Sequence, residues 1–139
     1  MDPLSVTASI IAIVQLTSVV IGYLNDVKDA SRDRARCAIE VSNVSNLLII
    51  LKYRLDEASS NDGWYREVQA LATANGPIDQ YRSALVQLQS KLTPTATSGL
   101  KKIGNALTWK FSEEEVTTIL ARIERLKSLT QIALEMDHL

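Results

Sequence analysis

With 139 residues, 46% hydrophobic and 22% charged, the chain is long enough to enclose one core and too apolar to remain disordered. A net charge of −1 and 5% aromatic residues supply neither the field nor the stacking surfaces that nucleic acids need, so no nucleic-acid partner is expected. The single cysteine, Cys37, excludes an intrachain disulfide and suits a reducing, cytoplasmic compartment.

The first predicted element is a helix opening at Asp2-Pro3, where Asp2 can cap the free amides and Pro3 fits the first helical position. No charge occurs from Pro3 to Asn25. Val6, Ile10, Ile11, Ile13, Val14, Leu16, Val19, Val20, Ile21 and Leu24 cover most of its circumference. The stretch is too long for a strand and long enough to span a bilayer, which takes roughly 20 apolar residues. Six Ser, Thr and Gln residues, with Gly22 and Asn25, make it a poor permanent anchor. The expectation is a buried core helix at rest, with exposure conditional. Small residues four apart (Ser5 and Ser9, Ala8 and Ala12, Ser18 and Gly22) permit close approach of another helix. A secretory signal is not expected, because the leading residues carry no basic region and no small-x-small site closes the run. The helix is predicted to end or bend between Gly22 and Asp29.

Lys28, Arg32, Arg34 and Arg36 follow, interleaved with Asp26, Asp29 and Asp33. Such a mixture reads as a solvated helix face; the alternative is contact with anionic headgroups if the first helix inserts. A second helix is predicted from about Ser31 to Glu57, with Cys37, Val41, Val44, Leu48, Leu51 and Leu55 as its core face. The Asn43-Val44-Ser45 sequon falls within it and carries little meaning there. Ser59 to Gly63 is a break, and a short third helix runs from Trp64 to about Ala74, stopped by Asn75-Gly76. Pro77 starts the fourth, with Ile78, Tyr81, Leu85, Leu88 and Leu92 inward. Thr93 to Gly99 is a loop, and Leu100 to Leu107 one or two turns with Ile103 and Leu107 inward. The last helix begins with a capping box, Ser112 and Glu115. Its inward stripe is Val116, Ile119, Ile123, Leu126, Thr130, Ala133 and Met136. Nothing after Glu135 stops a helix, so the chain is expected to be the N-terminal part of a longer one. The fold expected for residues 1–139 is a single all-α domain, a bundle of four to five helices.

No catalytic, cofactor or metal constellation emerges, and no enzyme is expected. The lone histidine, His138, could pair with Cys37, but a free cysteine on a core stripe is far more often a small buried residue. Two such residues are too few for zinc. Gly99 to Asn105 echoes a phosphate loop without its Lys-Ser/Thr or a preceding strand. Glu113 to Glu115 reads as a helix start.

Several stretches resemble a known group. Met1-Asp2-Pro3-Leu4-Ser5-Val6-Thr7-Ala8-Ser9-Ile10-Ile11-Ala12 is similar to the opening of fungal N-terminal domains on STAND proteins. Asp33-Arg34-Ala35-Arg36-Cys37-Ala38-Ile39-Glu40, Leu107-Thr108-Trp109-Lys110-Phe111 and Ile123-Glu124-Arg125-Leu126-Lys127-Ser128-Leu129 extend the resemblance over nearly the whole chain. It points to the HeLo-like group, in the variant named after an azaphilone-pigment cluster protein. The resemblance implies a helical signalling bundle ahead of a NACHT or NB-ARC module. It also implies self-association on activation, with release of the first helix (here about 3–24) onto the plasma membrane. Val6, Ile10, Ile13, Val14, Val20 and Leu24 are then the membrane-targeting candidates, Lys28, Arg32, Arg34 and Arg36 the headgroup candidates, and Trp109 a structural anchor. The competing expectation is an adaptor that binds helical domains and never meets lipid. At rest the first helix is expected to lie against the second, fourth and last.

Overall fold

Local chemistry sets the ends of each element. The computed structural model describes residues 3–27, 31–57, 63–92 and 109–136, the side chains of 3–5 and 63 excepted. Five helices fill most of these segments: α1 Pro3–Asp26, α2 Arg32–Glu57, α3 Gly63–Leu71, α4 Pro77–Leu92 and α5 Glu113–Met136. No strand occurs among the described residues, so the chain is an all-α bundle as its periodicity requires. Asp2 and Lys28, the Thr93–Gly99 loop, the turns expected over Leu100–Leu107, the Gly99–Asn105 echo and His138 all lie outside the described residues.

Ser31 caps α2, its Oγ accepting the Arg34 N–H at 3.1 Å. The expected capping box of α5 forms in both directions: Glu115 N–H donates to Ser112 Oγ at 3.2 Å, and Ser112 N–H to Glu115 Oε1 at 2.9 Å. The third helix ends at Leu71, earlier than the predicted Ala74. Ala70 to Ala74 has good helix formers, but the turn after it prevails. Gly76 N–H donates to Thr73 O at 2.9 Å, and Asn75 adopts a left-handed φ of 59°. Asp79 Oδ2 accepts the Asn75 N–H at 2.9 Å, and Gln80 Nε2 donates to Asn75 O at 3.1 Å. A Cβ on Gly76 would lie 2.6 Å from Thr73 Oγ1 and 2.8 Å from Thr73 O, so glycine is required.

The predicted core faces of α2 and α4 are buried throughout. On α5 the stripe holds as far as Ala133, but Leu134 is buried and Met136 only partly so. α1 packs on α2 and α4; α5 packs on the same two helices, and α3 lies on α5. The Arg34 contact with Leu24 O marks α1 and α2 as an antiparallel hairpin. Gln87 Nε2, donating to Glu115 Oε2 at 3.2 Å, marks α4 and α5 as another. α2 and α5 run parallel: Asp33 and Arg36 face Glu113 and Thr117, while Asn46 and Leu47 face Gln131. Lys127 ties this pair together, 3.0 Å from Glu40 and 3.4 Å from Glu124. The two hairpins thus lie side by side, with α1 and α5 at opposite corners. The expectation that α1 rests against the last helix is corrected, since the crossover through α3 brings α4 between them.

Candidate functional site

α1 enters the bundle through one face. Val6, Ile10, Ile13, Thr17, Val20 and Leu24, spaced alternately four and three apart, are fully buried. On the opposite face Ala8, Ile11, Ala12, Gln15, Ser18, Val19 and Gly22 are exposed, Ile11 by 37% and Val19 by 47%. The stretch Val6–Asp26 is long and apolar enough to cross a membrane, yet 28% of it is buried. α1 is therefore a corner helix with an uncharged outer face, where sequence favoured a helix buried in the core. Of the six membrane-targeting candidates, five lie in the core seam and Val14 is half-buried. Sequence reasoning missed the outward Ile11 and Val19. The helix is apolar all round, so its periodicity does not say which side faces in.

One polar link crosses the seam. Thr17 Oγ1 donates to Ile13 O at 2.7 Å and lies 2.9 Å from the Tyr81 hydroxyl. Thr17 has one proton to give, so Tyr81 is the donor in the second bond. Burial pushes the Tyr81 phenol well above its ordinary range.

The basic residues do not form one patch. Arg34 is half-buried and its Nη1 donates to Leu24 O at 3.3 Å, placing a cation at the negative end of α1. Arg32 and Arg36 are exposed on the outer side of α2. Lys28 lies outside the described residues.

Trp109 sits half-buried against the core where the chain enters α5, with its ring centroid 4.5 Å from that of Phe111 at 45°. Lys91 Nζ lies 5.1 Å from the Phe111 centroid, bonds to Glu115 and donates to Lys110 O at 3.4 Å. Chiefly through Lys91, and then through the Ser112 amide, the Glu115 carboxyl is held down to about 2.

An open groove of about 740 Å³ runs between the N-terminal halves of α2 and α5. Ile39, Val116 and Leu120 supply apolar lining, with Asp33, Glu40, Glu113 and Glu124 as carboxylates and Arg36 as the opposing cation. Cys37 lies behind it, buried, its thiol pushed up to about 11 first by burial and then by the Asp33 charge. The thiol is therefore protonated at neutral pH. Among the described residues no group of three or more His, Cys, Asp or Glu side chains could hold a metal ion. No family model, curated protein or solved structure matches the chain.

Proposed function

We propose that this chain is the N-terminal signalling and effector bundle of a fungal NLR-like protein, non-catalytic and cytoplasmic at rest. In this reading oligomerisation frees α1, about residues 3–24, to target the plasma membrane for regulated cell death. The observation carrying it is the combination in α1 of membrane-spanning length, no charge from Pro3 to Asn25 and an outer face already turned to solvent. α1 is held by one face, and the α2–α5 and α4–α5 contacts are made without it. The inner stripe of α1 then meets lipid instead of α2 and α4, and Arg32 and Arg36 stand near the headgroups.

The test is dye release from anionic liposomes by the chain, by a forced oligomer, and by a forced oligomer carrying Ile11→Asp and Val19→Asp. These positions face outward, so the variant keeps its fold while its helix resists insertion. Release by the oligomer that the folded variant lacks supports the reading. No release under any condition sinks it.

A second reading is an interaction bundle that never touches lipid. The apolar side chains exposed on α2, Ile39 by 59%, Ile50 by 44% and Tyr53 by 63%, favour it.

A further inference from the structure

α2 carries two stripes. The inward one, Cys37 to Leu55, is core. The outward one begins at Arg32 and Arg36, continues through Ile39, Asn43 and Asn46, and ends at Ile50, Tyr53 and Glu57; every member is exposed. The spacing alternates four and three residues over the whole helix, which is the repeat of a coiled-coil seam. An ordinary solvated helix face is polar along its length, whereas this one places two isoleucines and a tyrosine on the seam with two asparagines at its centre.

The stripe is self-complementary when reversed. About a two-fold axis between Val44 and Ser45, Asn43 of one copy falls opposite Asn46 of the other, so their side-chain amides can exchange hydrogen bonds. Ile39 falls opposite Ile50. Arg36 falls opposite Tyr53, a cation over an aromatic ring. Arg32 falls opposite Glu57, an ion pair. Each pairing sets one type of seam position against the other, as antiparallel coiled-coil layers require. Reversing a helix with arbitrary outer residues would not set charge against charge, cation against ring, apolar against apolar and amide against amide in successive layers.

We infer that α2 is the self-association surface of this protein, pairing with α2 of a second copy in an antiparallel, two-fold-symmetric seam. The occupant is a second copy because the charges, amides and apolar groups of the stripe are complementary to that stripe itself. At 1.5 Å rise per residue the seam runs about 39 Å, and the symmetric arrangement closes on itself as a dimer. The central asparagines fix the register, since any shift sets an amide against an isoleucine. Arg36 and Ile39 also line the groove between α2 and α5, so Tyr53 and Ile50 of the second copy come to its mouth. The surface goes beyond the membrane reading and needs no lipid: it lies on α2, and α1 plays no part in it.

The test is sedimentation equilibrium of the full chain across the micromolar range, without lipid, for the native protein, for Ile39→Glu, for Ile50→Lys and for the double variant. The native chain is expected to dimerise. Each single substitution sets a charge against an isoleucine and weakens the dimer by roughly a hundredfold. The double variant restores it, because in the antiparallel seam the introduced carboxylate of one copy faces the introduced ammonium of the other. In a parallel seam like charges would meet and association would fall further. Circular dichroism checks that each variant remains helical, as exposed positions allow. A native chain monomeric throughout overturns the inference, as does a dimer indifferent to either single substitution or a double variant that stays apart. Dye release reads the membrane proposal separately, so failure of one is distinguishable from failure of the other.

Discussion

Thr17 and Tyr81 illustrate how unevenly a buried hydrogen bond responds to loss of either partner. Thr17→Val leaves the Tyr81 hydroxyl without an acceptor inside the core, and a cost of about 1–3 kcal/mol is expected. Tyr81→Phe leaves Thr17 still bonded to Ile13 O, so its cost should be about 1 kcal/mol. Urea unfolding of both variants measures the difference, and equal losses would contradict the donor assignment. Glu115 gives a pH signature. Its carboxyl titrates below the ordinary value of 4.5, so its contribution to stability is complete above that pH and is lost as pH falls toward 2. Glu115→Gln should flatten stability over that window and lower stability at neutral pH by the same amount, a small one because the pair with Lys91 is partly solvated.

Among the elements, α1 offers a test of its own two-sidedness. Ile10→Asp places a charge in a fully closed seam and should destabilise the bundle by several kcal/mol. Ile11→Asp, one residue along, points outward and should stay within about 0.5 kcal/mol of the native chain. Thermal unfolding separates the two; similar losses would mean that α1 is enclosed on both sides. This is also where the sequence is least legible. In α2, α4 and most of α5, polar residues between the apolar ones mark the inward side, so the core faces are readable in advance. In α1 that contrast is missing, because Ile11 and Val19 are as apolar as Ile10 and Val20. The end of α3 was obscured for a different reason: turn chemistry at Thr73, Asn75 and Gly76 outweighs the helix preference of the alanines before it.

For the whole molecule, the hairpin arrangement decides what α1 is worth. Each of its five fully buried aliphatic side chains contributes about 1.5–3 kcal/mol as an upper estimate, together comparable with the 5–15 kcal/mol that holds an ordinary domain. Deleting residues 1–25 should therefore abolish the cooperative unfolding transition and leave a loosely packed, dye-binding state; a truncated chain with a sharp melting transition would contradict this. It follows that α1 leaves the bundle only when another apolar medium or partner receives its inner face. Of the three neighbours expected for α1, α2 and α4 are found and only the last helix is not. Placement of α4 beside it depends on the crossover through α3, and the crossover follows from how the two hairpins dock.

The Thr17 hydroxyl has a mechanical meaning as well. A stripe of aliphatic side chains spaced four and three apart meets its groove in the same pattern after a slip of one heptad, apart from the side chains carried past its end. A slip of seven residues, about 10 Å, would bring Ile10 or Leu24 opposite the Tyr81 hydroxyl and strand it. One hydroxyl near the middle of α1 thus keys the helix to a single axial position. α1 has no gliding mode, and its two mechanical states are docked in that one notch or gone from it.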